Sequence, residues 1–313
     1  MTRAVVFAYH EVGVRCLATL IAHQVEIPLV VTHQDDPAET IWFGSVADLA
    51  RSHGINVVSP ANPGDPSFVS QVQALRPDFI FSFYYRHMLR PEILAAASRG
   101  AFNMHGSLLP KYRGRVPINW AIIHGEHETG ATLHEMIQKP DAGRIVDQQA
   151  VPILPNDTAV DVMRKVATAA ATVLDRALPL MIAGTAVLRA QDLARGSYFG
   201  RRRPEDGLID WSADAARVHN LVRAVAPPYP GAFCRVMGKT LRILKTINAG
   251  ERSPVVGEPS LIAQGPALYL RCADGGLLTV LDAELDGVSF GADAMRRHFG
   301  ADTVVLHNKI GIT

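Results

Sequence analysis

Residues 3–31 read RAVVFAYHEVGVRCLATLIAHQVEIPLVV, and their order decides the fold. A short apolar run at 5–8 is followed by an amphipathic stretch around 14–24 and a second apolar run at 27–31. This pattern predicts strand, helix, strand. It then repeats, with strands predicted at 55–58 and 79–83 and helices around 42–53, 67–75 and 91–97. Strands at 101–104, 131–137 and 145–152 extend the series. A long helix over 158–183 follows, with Asp157 of Pro155-Asn156-Asp157-Thr158 as its expected N-cap. Alternation of this kind implies an α/β fold, a Rossmann-like, mostly parallel sheet with helices on both faces. Runs that are apolar throughout suit strands covered on both sides.

The chain has 313 residues, more than one core usually serves, so two domains are expected. The segment 192–207, DLARGSYFGRRRPEDG, is polar, basic and glycine-bearing, and divides them. The expected organisation is a catalytic domain over 1–190, a linker over 191–206, a small barrel-like, OB-type β domain over 207–305 and a tail over 306–313. In the β domain a helix is expected near 214–225, with strands at 232–236, 240–246, 260–264, 267–272 and 277–284.

The formal net charge is +1, so no overall basic excess points to nucleic acid. Cys16, Cys234 and Cys272 are scattered and odd in number, which fits reduced thiols and a reducing cytoplasm. The N-terminus turns polar at His10 and Glu11, too early for a signal peptide. The apolar stretch 166–183 is interrupted by Asp175 and Arg176, so no membrane insertion is expected. His124-Gly125-Glu126-His127-Glu128 matches no zinc pattern, and no metal is expected.

In an open α/β sheet, ligands bind at the carboxyl ends of the strands. Tyr84 and Tyr85 follow one predicted strand, where they could stack on a ligand or simply pack. Asn103 and His105 belong to another and, two residues apart, point to the same side. An amide donor and an imidazole, with Gly106 allowing close approach, suit acyl transfer to an amine. That chemistry needs a donor to the oxyanion and a proton carrier. Asp141 could orient the imidazole and raise its pKa. From spacing alone, an Asn-x-His pair such as Asn103 and His105 is more often structural than catalytic. His10 reads as a cleft-lining or satisfied polar residue, and His134 as an ordinary core or edge histidine.

The run FNMHGSLLPKYRGRVPINWAI at 102–122, with Asp141-Ala142-Gly143 downstream, resembles the 10-formyltetrahydrofolate-dependent formyltransferases. These include methionyl-tRNA formyltransferases, sugar-nucleotide N-formyltransferases and the hydrolase domain of formyltetrahydrofolate dehydrogenase. The resemblance implies a Rossmann-like N-domain with a barrel-like C-domain. It implies that Asn103 stabilises the oxyanion, that His105 donates the proton and that Asp141 tunes it. It further implies a 10-formyltetrahydrofolate co-substrate contacted by His87, Met88, Leu89, Arg115, Ile137, Gln138, Lys139 and Pro140.

The tRNA branch of that family carries a Lys- and Arg-rich insertion after the second strand. Here the matching stretch, HQDDPAET at 33–40, is acidic, and no Lys or Arg occurs between Arg15 and Arg51. Since phosphate contacts dominate nucleic-acid affinity, no nucleic-acid partner is expected. SFYYRH at 82–87, FGRRRPEDG at 199–207 and HNLVRAVAPPYPGAF at 219–233 resemble a different branch. That branch is the formyltransferase half of the bifunctional UDP-4-amino-4-deoxy-L-arabinose formyltransferase and UDP-glucuronic acid oxidase of lipid A modification. The oxidase half's glycine fingerprint does not occur, which suggests a stand-alone domain or homologue. The implied acceptor is UDP-4-amino-4-deoxy-L-arabinose, with Tyr84 and Tyr85 as sugar-nucleotide contacts and Arg202 on the pyrophosphate. A methionyl-tRNA formyltransferase, a formyltetrahydrofolate hydrolase and a non-catalytic folate-binding module are the alternatives.

Overall fold

The computed structural model describes residues 1–254 and 257–308, so residues 309–313 of the expected tail lie outside the described residues. The chain forms two compact units. The first comprises Met1–Pro117, Glu128–Pro152 and Val162–Gly200; the second comprises Ile118–His127, Ile153–Asp161 and the chain from Arg201 onward.

The first unit is built on strands β1 (Arg3–Ala8), β2 (Glu26–Val31), β3 (Val57–Val58), β4 (Phe79–Phe83), β5 (Ala101–His105), β6 (Arg113–Gly114), β7 (Glu128–Glu135), β8 (Ile145–Pro152) and β9 (Tyr198–Phe199). Its main sheet runs β3-β2-β1-β4-β5-β7-β8. The first five strands are parallel, and β7 and β8 are antiparallel. Ala4 to Ala8 have no exposure, which is why β1 is apolar without alternation. On one face Val5, Phe7, Leu29, Val31 and Ile80 pack with Phe68, Val69, Val72 and Ile93.

The helices α1 (His10–Ala22), α2 (Val46–Ser52), α3 (Pro66–Ala74), α4 (Pro91–Leu94), α5 (Pro117–Ile123) and α6 (Ala159–Ala183) follow along the chain. In α1, Val12, Cys16, Leu17 and Leu20 are buried at helical spacing. Each such aliphatic side chain contributes about 1.5–3 kcal/mol by leaving water. Helix α6 is long and apolar enough to cross a membrane by length and composition alone. Val162, Val166, Ala170, Val173, Leu174, Ala177 and Met181 form its buried stripe, as in a core helix. Its interrupting charges are tied down: Asp175 Oδ1 lies 2.7 Å from His23 Nε2, and Arg176 Nε donates to Asp147 Oδ2 at 2.6 Å.

Two expectations need correction. The cap of α6 is Thr158, whose hydroxyl accepts from Asp161 N at 3.3 Å while Asp161 Oδ2 accepts from Thr158 N at 3.0 Å. Asp157 instead accepts from Leu154 N at 2.6 Å. Nor is 191–206 free linker. Strand β9 pairs with β6, Ser197 Oγ accepts from Tyr112 N at 2.8 Å, and Gln191 is anchored by its side-chain amide.

The second unit holds α7 (Ala215–Ala224), β10 (Ala232–Val236), β11 (Lys239–Ile247), β12 (Ser260–Gln264), β13 (Ala267–Arg271), β14 (Leu277–Leu285), β15 (Val288–Ser289), α8 (Ala292–Phe299) and β16 (Thr303–Val305). The sheet is antiparallel, ordered β10-β11-β14-β13-β12-β16 with β15 on β14. It is the expected barrel-like domain in half-barrel form. Asp214 caps α7 by accepting from Arg217 N at 2.8 Å. Leu306 is buried and Asn308 Oδ1 accepts from Trp211 N at 2.6 Å, so this start of the expected tail is packed.

Candidate active site

Strand β1 lies between β2 and β4, so the connections through α1 and α3 diverge there. That divergence opens a crevice at the strands' carboxyl ends. Backbone turns at these ends are sharp: His10, Tyr84, Tyr112, Val116 and Asp141 all have left-handed φ, of 67°, 57°, 56°, 47° and 51°. Non-glycine residues in that region are uncommon and cluster at functional sites.

The ladder between β5 and β7 assembles the chemistry. Asn103 pairs with His134, and His105 with Thr132, so the amide and two imidazoles face one side. Asn103 Nδ2 lies 3.1 Å from His134 Nε2. The His134 Nδ1 lies 2.9 Å from Glu135 O, and His105 Nε2 lies 2.8 Å from Tyr112 O. Carbonyls only accept, so Nδ1 of His134 and Nε2 of His105 carry the hydrogens.

Asp141 stands between the rings. Its Oδ1 is 3.4 Å from His134 Nε2 and 3.8 Å from His105 Nδ1, and its Oδ2 accepts from Gly114 N at 2.8 Å. Burial alone would raise its carboxyl, but both imidazoles and the Gly114 N–H outweigh it and hold the pKa well below the usual range. Asp141 is therefore a carboxylate that attracts a charged imidazole. Gln191 fixes its turn, donating from Nε2 to Asp141 O at 3.0 Å and to Gly143 O at 2.6 Å. The tautomer of His105 is set by Tyr112 O rather than by Asp141.

Other expected positions surround this cluster unevenly. A side chain at Gly106 would collide with the Tyr84 hydroxyl, so Tyr84 lies directly over the residue after His105. Tyr85 is buried, and its ring stacks 4.2 Å from that of His33, which stacks in turn on His87 at 5.0 Å. Met88 and Ile137 are apolar yet 62% and 44% exposed, while Leu89 and Pro140 are half-buried. Gln138 and Lys139 are exposed. Arg115 is exposed as well and donates from Nη2 to Arg86 O at 3.4 Å. Arg202 belongs to the second unit, where it donates to Asp206 O at 2.8 Å and lies 5.5 Å from the Trp120 ring centre.

The acidic loop 33–40 is pinned from within. Glu39 accepts a bidentate pair from Arg86 at 2.8 and 2.7 Å, and Asp35 accepts from the Tyr9 hydroxyl at 2.7 Å. Beside it a cavity of about 410 Å³ is lined by Tyr9, His33, Asp35, Phe43, Ser45 and Arg51, among others. Among the described residues, no group of three or more His, Cys, Asp and Glu could hold a metal ion. From the sequence His134 reads as an ordinary core or edge histidine, and nothing singles out Gln191. The only signal for His134 was its place in a strand, and its pairing with Asn103 depends on register.

The family model for formyl transferase matches residues 11–178, more than half of the chain, and the model for the formyl transferase C-terminal domain matches 202–289. The chain belongs to the formyl transferase family. Solved structures share its fold. An N-formyltransferase from Helicobacter canadensis, solved with folinic acid and dTDP-3-aminofucose, aligns at TM-score 0.73 with 21% identity, over 90% of this chain and 99% of that one. WlaRD, a sugar 3N-formyl transferase solved with dTDP and 5-N-formyl-THF, aligns at 0.69 with 21% identity, over 90% and 97%. HypX from Aquifex aeolicus aligns at 0.64 with 18% identity, over 95% of this formyltransferase and 47% of its own chain.

Proposed function

We propose that this formyltransferase moves a formyl group from 10-formyltetrahydrofolate to the amine of a sugar nucleotide, with Asn103, His105 and Asp141 as its chemical groups. The observation that carries this reading is the convergence of an amide donor, an imidazole and a buried carboxylate within a chain of the formyl transferase family. Two similar structures are of sugar N-formyltransferases solved with formylated folates, which supports the donor and the acceptor class. The exposed apolar Met88 and Ile137, and the Tyr85 hydroxyl, buried without a partner among the described residues, suit a ligand with an aromatic body and polar edges.

The donor supplies the formyl carbon as an amide of a nitrogen that must leave. As the acceptor amine adds, charge builds on the formyl oxygen, where the Asn103 N–H donates to it. His105, its Nε2–H held by Tyr112 O, takes the proton released by the acceptor amine at Nδ1 and passes it to the leaving nitrogen. Asp141, kept ionised, stabilises the imidazolium form. For the acceptor, the resemblance at 82–87, 199–207 and 219–233 favours UDP-4-amino-4-deoxy-L-arabinose. Arg202 serves the pyrophosphate, since its buried Nε–H has no acceptor among the described residues.

The test is incubation with 10-formyltetrahydrofolate and a panel of UDP- and dTDP-amino sugars, scoring the formamide by mass. Turnover of the UDP-4-amino-arabinose is expected to exceed that of the others. Robust formylation of methionyl-tRNA with none of any amino sugar would overturn the acceptor.

A further inference from the structure

His134 is 1% exposed and lies opposite Asn103 in the β5–β7 ladder, and the chemistry described above uses it only as a neighbour of Asp141. Its two nitrogens face groups of opposite kind. Nδ1 faces the Glu135 carbonyl at 2.9 Å, which can only accept, so Nδ1 bears the hydrogen. In the neutral ring Nε2 is then a bare acceptor, and the atom 3.1 Å from it is the Asn103 Nδ2, which can only donate. Rotating the Asn103 amide by half a turn would set its Oδ1 against the Nε2 lone pair, leaving two buried acceptors face to face. A polar group turned away from its partner in this setting is costly, which keeps one amide orientation. Asp141 Oδ1 also approaches this Nε2, but farther off at 3.4 Å, and Asp141 takes its short hydrogen bond from Gly114 N at 2.8 Å.

We propose that His134 is a positioning residue that sets the orientation of the Asn103 amide. The lone pair on its Nε2 holds one N–H of that amide. Because the NH2 group is planar, the second N–H of the same nitrogen is thereby aimed into the site as the oxyanion donor. The backbone carbonyl of Glu135 fixes the ring tautomer, so the chain runs Glu135 O, His134, Asn103, formyl oxygen. This inference rests on the reading of Asn103 as the oxyanion donor.

A double-mutant cycle tests it. His134→Met removes the Nε2 acceptor and is expected to lower kcat about ten- to hundredfold, the scale of a misplaced catalytic group, with KM for both substrates unchanged. In the Asn103→Ala background the same substitution is expected to change kcat little, since nothing is left to orient. Two polar variants keep the test open if His134→Met fails to fold. His134→Gln places a carbonyl oxygen at the reach of Nε2 and should keep kcat close to wild type, whereas the shorter His134→Asn should lose it. Equal losses from His134→Met in both backgrounds, or equal kcat for His134→Gln and His134→Asn, would overturn the proposal. Full kcat in Asn103→Ala alone would instead sink the reading of the site on which it rests.

Discussion

Asp141 illustrates how much a single residue's setting decides. Its left-handed backbone, φ 51°, turns the carboxylate back between the His105 and His134 rings, and Gln191 holds that turn through two carbonyls. Asp141→Asn keeps the shape but removes the negative charge that lies 3.8 Å from His105 Nδ1. It is expected to lower kcat by at least an order of magnitude while the melting temperature moves little, as steady-state kinetics and thermal unfolding would show. Asn103→Ala removes the proposed oxyanion donor and is expected to lower kcat about 10²- to 10³-fold. That Asn103 and His105 share a side was legible in the sequence because a period of two along a strand needs no tertiary knowledge, whereas their proposed chemistry came from the family resemblance. His134 was not, because whether a strand histidine faces an amide or an aliphatic side chain depends on pairing register.

At the scale of elements, short local patterns decide what can be read. The strands β1, β2 and β4 are mostly apolar runs, and they and β5 were placed within two residues. The helices α5 and α8 and the strands β6, β9, β15 and β16 carry little pattern of their own. Helix α8, ADAMRRHF, buries only Ala292 and Met295, and β6 and β9 are two residues each. The turn after β6 has a testable cost. Val116 is β-branched, 37% exposed and left-handed at φ 47°, a conformation that costs an L-residue roughly 1–2 kcal/mol. Val116→Gly removes that strain and should raise stability by about 1 kcal/mol, less glycine's own entropic cost. Equilibrium denaturation would reveal it, and a destabilised Val116→Gly would show that the Val116 side chain does more than its strain costs. The Arg86–Glu39 pair that pins loop 33–40 is about 40% exposed on each side, so Glu39→Gln should cost no more than about 1 kcal/mol. Its expected signature is faster proteolytic nicking of that loop.

For the molecule as a whole, the α/β class and the half-barrel follow from alternation that a linear reading captures. The makeup of the compact units does not, because 118–127 and 153–161 join the second unit from within the expected 1–190 domain. Stability should also carry a pH signature. Burial, followed by the charge of Arg86, lowers His10 from 6.5 to about 4. Burial with the nearby His87 and Arg86 lowers His33 likewise to about 4. Between pH 6.5 and 4 the unfolded chain therefore takes up protons that the folded chain refuses, so stability falls as the pH drops through that window. His10→Asn, which tolerates the left-handed backbone, should flatten the decline in denaturation midpoint between those limits. The proposed chemistry is formyl transfer to an amino sugar through the Asn103–His105–Asp141 cluster. It is tested most directly by the rate of formamide formation from 10-formyltetrahydrofolate and UDP-4-amino-4-deoxy-L-arabinose, wild type against His105→Ala. Rapid formation by the wild type, with a fall of at least about 10²-fold in the variant, is the predicted result; equal rates, or no formamide from either, would contradict it.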